Sequence, residues 1–474
     1  MRPNIHRIST ALLILIVALA ACREEPTPAP TATPATERLP PADPTTEPTA
    51  GPTESPTATA APPPTPAPTA VPLAEQCVEP IYLAIIWHQH QPVYYQDPET
   101  GVFAKPWVRL HAAKDYVDMA AILQQYPDVR ATFNLTPSLI RQLDELNAGA
   151  TDLYWQHTII PAEELTDDQK HFILDRFFDT NRKIVARFPR YQELLNQRDG
   201  SETPLDEFTA DDFRDLQLLF TLAWTDPDWL AEEPLAALVE QGEGFAEEDK
   251  QIVLNEHIRL MGEVIPIHRE LQDDGQIEVT MTPFAHPILP LLISTDLALV
   301  ATPDMELPNP AFIFGQDAVA QVERGVQLYS DHFGVAPRGM WPGEGSVAQE
   351  MVSMTDANGI QWMASSEGVL AHSMGMESFT RDSNEVVVEA DTLYRPYTVR
   401  GGNGGPVAIL FRDIVLSDKV GFTYSGVSGA AAADDFIDRI YNICGRLQSS
   451  DGEGPHLVSV ILDGENAWEH YDND

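Results

Sequence analysis

Basic residues are scarce in this chain of 474 residues, which has 29 Lys and Arg residues against 72 Asp and Glu residues. The formal net charge is −43. Because phosphate groups are bound by clustered Lys and Arg, this balance argues against nucleic acid as a partner and against an electrostatic hold on anionic lipid. A neutral substrate needs no charge attraction and stays compatible, and an acidic surface also keeps an exported protein soluble.

Cysteine is scarce as well, since the chain has only Cys22, Cys77 and Cys444. No Cys-x-x-Cys pair and no His-Glu-x-x-His motif occurs, which argues against a thiolate metal site and against that helical zinc motif. Two alternatives stay open for Cys77 and Cys444. They form a disulfide in an oxidising compartment, or they remain two unlinked thiols.

The chain also lacks a hydrophobic run long enough to span a bilayer. The apolar run at the N-terminus, residues 11–21, is too short to do so as a permanent helix. It follows a basic start and ends in Leu-Ala-Ala-Cys at residues 19–22, which resembles the signal of bacterial lipoproteins. We therefore expect a signal peptide over residues 1–21 and a lipidated Cys22 that holds the protein at a membrane surface on the extracytoplasmic side. The alternative is an ordinary secretory signal with a chance Cys.

Two regions of different composition follow this signal. From residue 24 to about residue 74 the sequence is dominated by Pro, Thr and Ala, and it has almost no aliphatic residues to bury. Residues 22–74 are therefore predicted to be the lipidated Cys followed by an extended, disordered linker. Residues 75–474 are predicted to form the folded domain.

Seven apolar runs in the folded domain have the length of buried strands. They cover residues 81–87, 130–135, 276–282, 338–341, 361–364, 407–411 and 457–462. Helical patterns at residues 112–125, 316–333 and 434–447 lie between them, and residues 138–272 have a long, acidic and mostly helical pattern. Alternation of strands and helices predicts an α/β fold with a parallel sheet, and a helical insertion between the second and third strands.

Polar side chains close or follow each of these seven runs. His88, Asn134, His286, Glu344, Glu367, Arg412 and Asp463 are examples, one for each strand end. In a parallel barrel these ends meet on one face, where active sites are built. The pattern therefore predicts an enzyme.

Two of these segments carry candidate catalytic carboxylates. Glu344 lies between two glycines, whose small size lets a substrate approach the backbone, and Trp341 precedes it with a ring that suits a sugar face. Asp463 directly follows an apolar strand, so we expect partial burial that raises its pKa and suits it to act as an acid. The alternatives are a solvated Glu in a glycine-rich turn and an Asp at a helix start.

Histidines offer a different chemistry. His88 and His90 are two residues apart at a strand end, so both should point to the same side. They are candidates to bind sugar hydroxyls or, together with His286 and His111, a metal ion.

Four segments, taken in order, resemble family 57 glycoside hydrolases, most closely the amylopullulanase-like branch. The segments are His-Gln-His-Gln-Pro at residues 88–92, Gly-Gln-Ile-Glu-Val-Thr at 275–280, Trp-Pro-Gly-Glu-Gly at 341–345 and Leu-Asp-Gly-Glu-Asn-Ala-Trp-Glu at 462–469. The resemblance spans roughly residues 78–474. It implies a distorted seven-stranded (β/α) barrel that cleaves α-glucosidic bonds in starch- or pullulan-like glucans with retention of configuration, without a metal or other cofactor.

The resemblance also implies roles for single residues. Glu344 matches the nucleophile and Asp463 the general acid/base. The substrate-binding candidates are His88, His90 and Glu278 by motif position, with Trp341, His286, Arg412 and Asp413 near similar positions. The family usually continues past the last barrel strand, whereas this chain ends at Asp474, so we expect a C-terminally truncated domain.

Two other functions stay open at this point. One is a metal-dependent carbohydrate enzyme, of the deacetylase or mannosidase type, that uses the histidines. The other is a non-catalytic surface lipoprotein that captures glycans.

Overall fold

The computed structural model describes residue 77 and residues 79–402, 404–449, 454–465 and 468–471. These residues belong to one compact unit, Thr69–Asp474. The predicted signal peptide, Cys22 and the whole predicted linker lie outside the described residues. No helix in the described part of the chain is both long enough and apolar enough to cross a membrane.

The described residues form ten β-strands. They are β1 Tyr82–Gln89, β2 Val102–Phe103, β3 Ala131–Leu135, β4 Thr151–Asp152, β5 Ile277–Met281, β6 Gly339–Met340, β7 Trp362–Ser366, β8 Tyr397–Arg400, β9 Pro406–Arg412 and β10 Leu457–Asp463. Seven of them pair in parallel in the order β10-β1-β3-β5-β6-β7-β9, and β9 pairs with β10 to close the barrel. The predicted (β/α) barrel of seven strands is confirmed.

All seven predicted strands occur in the structure at nearly the predicted positions. The prediction missed three short strands. β8 is antiparallel to β9 and lies outside the parallel barrel, and β2 pairs with β4 in a separate small sheet. β2 and β4 are only two residues long, too short to leave an alternating pattern in the sequence.

Helices connect the strands and cover the outside of the barrel. The α-helices are Trp107–His111, Asp118–Ala121, Pro137–Asn147, Leu153–Ile159, Asp167–Arg176, Arg182–Arg187, Pro189–Gly200, Pro204–Glu207, Ala210–Ala223, Pro227–Leu230, Leu235–Gln241, Glu247–Asp273, Leu289–Ile293, Ala298–Ala301, Gly315–Phe333, Val352–Ala357, Glu367–Ser373, Ala390–Leu393, Ile414–Gly421 and Gly429–Gln448. A π-helix covers Ala112–Tyr116, and 3₁₀-helices cover Ile122–Gln125, Ala162–Glu164, Thr295–Leu297, Gly343–Gly345, Gln349–Met351, Thr423–Gly426 and Trp468–His470.

The two long helices predicted in the second half of the chain are confirmed. Helix Gly315–Phe333 buries Val322 and Tyr329 at helical spacing and ends at Gly334, which adopts the left-handed conformation common at helix ends. Helix Gly429–Gln448 begins after Ser428, whose hydroxyl accepts a hydrogen bond from the backbone of the first turn. The helix predicted over residues 112–125 is instead divided into π, α and 3₁₀ segments.

The helical insertion is confirmed between β3 and β5, the second and third strands of the barrel. Its helices, with the short strand β4, surround their own apolar core, in which Phe177, Tyr191, Leu219 and Phe220 are fully buried. Because the insertion buries apolar side chains in a core of its own, its stability does not depend only on contacts with the barrel.

A disulfide joins Cys77 to Cys444, which decides between the two alternatives left open by the sequence. Cys77 lies just before β1, and Cys444 is fully buried on helix Gly429–Gln448. The bond therefore ties the start of the described chain to the last long helix.

Candidate active site

Neighbouring residues of the barrel strands face opposite sides, because side chains alternate along a strand. His88 pairs with Asp463 on β10 and with Asn134 on β3, and Asn134 pairs with Thr280 on β5. The side chains confirm that these residues share the inner face: His88 Nδ1 lies 2.7 Å from Asn134 Oδ1, and Asn134 Nδ2 donates to Thr280 Oγ1 at 2.9 Å. The sequence placed Asn134 among the polar residues at strand ends without assigning it a role, and Thr280 was not predicted as a site residue.

Three histidines meet at this end of the barrel. The ring centroids of His88 and His90 are 5.6 Å apart and stacked, and the ring of His286 lies 4.7 Å from His88 and 4.4 Å from His90. Burial, followed by the proximity of the other imidazoles, lowers the pKa of His88 to about 3, of His90 to about 4 and of His286 to about 3. All three rings are therefore neutral at neutral pH. His111 does not join them, since it bonds Asp115 on the neighbouring π-helix.

Glu344 follows β6 in a 3₁₀ turn and presents a carboxylate to solvent, with 73% of its side chain exposed. Its Oε1 lies 3.7 Å from Nδ1 of His286. The two flanking glycines have structural reasons: a Cβ on Gly343 would lie 2.4 Å from the carbonyl oxygen of Pro287, and one on Gly345 would lie 2.8 Å from the ring of Trp341. The glycines thus let the turn pack tightly, and the carboxylate stays at the surface beside the histidines.

Asp463 is the last residue of β10 and the register partner of His88. Its side chain is more exposed than the predicted partial burial. Nevertheless, protein atoms around the carboxyl group displace enough water to raise its pKa, while the positive charge of Arg412 opposes this effect. The predicted direction of the pKa change is therefore found, although the residue lies open to solvent at the barrel mouth.

Glu465 is a further carboxyl group at the site, and the sequence did not decide between a supporting and a solvated role for it. Its Oε2 accepts a hydrogen bond from the backbone N–H of His90 at 2.8 Å. Burial, and then the charge of Asp463, raise its pKa well above the usual range. Glu465 thus holds the loop after β1 against the loop after β10.

Arg412 and Asp413 were both predicted to bind substrate, but the structure separates them. Arg412 faces the barrel interior and donates from Nη1 to the carbonyl oxygen of Ile461 at 3.1 Å. Asp413 is buried on the outer side, where its carboxylate accepts hydrogen bonds from Arg381 and Tyr394 and from the backbone of the helix that it caps. Strand alternation explains the separation, since adjacent residues cannot both face inward.

Glu278 and Trp341 also differ from the expectation. Glu278 is the second residue of β5, so it lies about 10 Å along the strand from its carboxyl end. There its Oε1 accepts from Nε1 of Trp362 at 3.0 Å, deep in the barrel and not beside the three histidines. Trp341 is only 7% exposed and lies 6.3 Å from the ring of His88, so its ring supports the site rather than offering an open face.

A cavity of about 470 Å³ lies beside the loop after β10. Trp107, His111 and Trp224 line one part of it, and Glu465 and Glu469 line another. The rings of Trp107 and Trp224 are 5.6 Å apart. The residue pattern did not predict this cavity, because its aromatic residues come from helical segments far apart in the sequence.

This arrangement suits chemistry that uses two carboxylates. Glu344 Oε1 lies 3.7 Å from His286, and the backbone of Asp463 is in register with that of His88, so both residues lie next to the same group of neutral rings. One carboxylate can act as a nucleophile or activate water, and the other, with its raised pKa, can donate a proton.

Comparison with known proteins identifies the family of this chain. The model of the family described as glycosyl hydrolase family 57 matches residues 84–474. A comparison with curated protein sequences gave no match.

Among solved structures, a GH57-type branching enzyme from Pyrococcus horikoshii is 17% identical, with a TM-score of 0.43 and coverage of 82% of this chain and 64% of that one. A GH57 branching enzyme from Thermococcus kodakaraensis is 15% identical, with a TM-score of 0.45 and coverage of 82% and 66%. An alpha-amylase from Thermotoga maritima is 15% identical, with a TM-score of 0.44 and coverage of 82% and 68%. The chain spans slightly less than two thirds of the length of both branching enzymes. Because the family model covers most of the chain and the motifs agree with it, the chain belongs to glycosyl hydrolase family 57.

Proposed function

We propose that this protein breaks α-glucosidic bonds in starch- or pullulan-like glucans, with Glu344 as nucleophile and Asp463 as general acid/base. Membership of glycosyl hydrolase family 57 supports glycoside chemistry. The observation that carries the assignment is the position of the two residues next to the group formed by His88, His90 and His286: Glu344 contacts His286, and Asp463 is the register partner of His88.

The reaction has two steps. The Glu344 carboxylate attacks the anomeric carbon while Asp463 gives its proton to the departing glycosidic oxygen, which leaves a glycosyl ester on Glu344. Asp463, now ionised, takes a proton from an incoming water or sugar hydroxyl, and that oxygen displaces Glu344 from the anomeric carbon. Water gives hydrolysis, a sugar hydroxyl gives transfer, and both retain the anomeric configuration.

The environment of each carboxylate suits its role. The protein atoms around the carboxyl group of Asp463 displace water and raise its pKa, which favours the protonated form needed in the first step. Glu344 lies exposed at the surface, where an incoming sugar can reach it. The neutral histidines offer hydrogen bonds to sugar hydroxyls without adding charge, which is consistent with a neutral glucan.

The test is release of reducing sugar from soluble starch and pullulan by the purified chain, beside Glu344→Gln and Asp463→Asn, with and without a chelator. We expect turnover in the parent with and without chelator, and a loss of at least about 10³-fold in both variants. Proton NMR of the first product should show retained configuration. Turnover that both variants keep would remove Glu344 and Asp463 from the mechanism.

We also propose that the protein is exported and anchored at the membrane surface through a lipid on Cys22. The lipoprotein-like segment at residues 19–22 motivates this proposal, and the Cys77–Cys444 disulfide supports it, because disulfides persist in oxidising compartments. In cells fed labelled palmitate we expect label on the parent and none on Cys22→Ala. Equal label on both proteins would overturn the anchor.

A further inference from the structure

The group formed by His88, His90 and His286 has the composition of a transition-metal site. One nitrogen from each ring can be chosen so that all three lie within 4.8 Å of one another. His88 lies on β1, His90 directly follows this strand, and His286 lies in the loop after β5, so the ends of two barrel strands bring the rings together. Imidazole nitrogen is a preferred ligand of Zn²⁺, Co²⁺, Ni²⁺ and Cu²⁺.

Two of these nitrogens lack a partner although they are buried. Nε2 of His88 and Nε2 of His286 make no hydrogen bond among the described residues. An unsatisfied buried polar atom destabilises a fold, so its presence calls for an explanation. A bound cation would satisfy both atoms together.

The surroundings of His88 favour ligation through Nε2. Its Nδ1 lies 2.7 Å from Oδ1 of Asn134, which can only accept a hydrogen bond, so the proton is on Nδ1 and the lone pair is on Nε2. Asn134 is itself held by its bond to Thr280. Metal-binding histidines commonly have this kind of partner on the second nitrogen, because it sets the tautomer and the ring orientation.

We propose that His88, His90 and His286 form a binding site for a divalent transition-metal ion of the Zn²⁺ type. Three nitrogen ligands leave at least one coordination position of such an ion open. The carboxylate of Glu344 is close to the group, with Oε1 3.7 Å from Nδ1 of His286. This proposal does not depend on the proposed function.

One consequence does rest on the proposed function. The same nitrogens cannot bind a metal ion and the hydroxyls of a glucan at the same time. Metal binding should therefore compete with the glucan, and the ion should act as an inhibitor rather than a cofactor.

Calorimetry and absorption test the site on the full, untagged chain after treatment with a chelator and its removal. We expect one equivalent of Zn²⁺ to bind, and Co²⁺ to give visible absorption bands typical of nitrogen coordination. His90→Ala and His286→Ala should each weaken Zn²⁺ binding by at least about 10-fold, in the range of losses known for altered metal sites. Circular dichroism and thermal unfolding check that the variants fold.

Two matched controls locate the ion. His332→Ala removes a histidine that bonds Asp144 outside the site, and it should leave binding unchanged. Asp226→Asn alters a second group, Asp118, Asp226 and Asp228, which would hold a metal through oxygen rather than nitrogen. Binding that persists in both histidine variants, or that disappears in either control, would overturn the site.

Activity measurements then test the competition separately. Added Zn²⁺ should raise the apparent KM for starch and leave kcat unchanged, and a chelator should reverse the effect. Activation by Zn²⁺ would overturn the inhibitor role. If the parent shows no turnover, the proposed function fails, whereas the binding measurements still decide whether the metal site exists.

Discussion

His286 and Glu344 face each other across the site with Nδ1 3.7 Å from Oε1, and both have left-handed backbone conformations, with φ of 55° and 54°. Residues other than glycine rarely adopt such values, which cost about 1 kcal/mol or more each. The two loops hold each other in place, because Gly343 packs against the carbonyl group of Pro287. The backbone strain is therefore located at Glu344, the proposed nucleophile, and at His286, which lies next to it.

Replacing Glu344 by glycine should stabilise the fold and abolish turnover. Glycine adopts a φ of 54° without strain, and the exposed side chain contributes little packing, so we expect Glu344→Gly to gain about 0.5–1 kcal/mol in the free energy of unfolding. Glu344→Gln is the matched control, which keeps the strain and should unfold at the parent's Tm. Equal Tm values for the two variants would contradict the strain.

Gly343→Ala should damage both stability and turnover. The new Cβ would lie 2.4 Å from the carbonyl oxygen of Pro287, and backbone cannot move aside as a flexible side chain can. We expect a loss of about 1–3 kcal/mol in thermal unfolding and a fall in kcat. Gly262→Ala is the control, since no atom lies within 4 Å of its new Cβ and alanine favours the helix there.

The pH profile should respond to the charge at Arg412. That charge lowers the pKa of Asp463, against the effect of burial. In Arg412→Gln the pKa of Asp463 should rise further, so the alkaline limb of kcat/KM, which reports loss of the acid's proton, should move to higher pH. Arg412→Lys keeps the charge and should leave the limb near its original position. A limb that moves to lower pH in Arg412→Gln would contradict the assignment of Asp463.

Loss of the Cys77–Cys444 disulfide should destabilise the protein. The bond closes a loop with a sequence separation of 367 residues, and its removal enlarges the conformational freedom of the unfolded chain. We expect Cys77→Ser with Cys444→Ser to lose about 2–5 kcal/mol, measured by denaturant unfolding. A reductant should lower the stability of the parent and leave the double variant unchanged.

Stability should also fall as pH rises because of Asp226. Burial, together with the charge of Asp118, raises its pKa to about 8, whereas an unfolded Asp has a pKa of about 3.9. The folded state thus binds this proton more tightly than the unfolded state, and the free energy of unfolding decreases from about pH 4 to pH 8. Asp118, whose pKa is raised to about 6, acts in the same direction.

Asp226→Asn removes this charge and keeps the oxygen that accepts from the backbone N–H of Asp228 at 2.8 Å. Its advantage over the parent should be about 1–3 kcal/mol at pH 8 and smaller at pH 5, with a chelator present. If the difference in Tm between Asp226→Asn and the parent does not increase with pH, the raised pKa of Asp226 is contradicted.

The sequence was sufficient to predict a parallel α/β fold because most of the barrel strands are apolar runs of adequate length, flanked by polar residues, and the family resemblance implied the closed seven-stranded barrel. The runs at residues 81–87 and 457–462 correspond to β1 and β10, which pair along their whole length. The helix predicted over residues 112–125 was too regular, because its backbone changes to π and 3₁₀ geometry in response to packing that the local sequence does not reveal.

The site residues were predictable from the sequence where the alternation of side chains along a strand determines which side each residue faces. His88 and His90 were predicted to point to the same side, and their rings stack. The alternation of side chains along a strand also predicts that Arg412 and Asp413, which are adjacent, face opposite sides. The depth of Glu278 and the burial of Trp341 depend on where each strand ends and which rings lie opposite, and this information comes from distant parts of the chain.

The disulfide between Cys77 and Cys444 also decides how the barrel responds to mechanical force. β1 is the first strand of the barrel and lies between β10 and β3, so a pull on the preceding chain would otherwise peel it out of the sheet one hydrogen bond at a time. Because Cys77 is covalently joined to helix Gly429–Gln448, tension from residues before position 77 passes into that helix, and β1 carries little of the load.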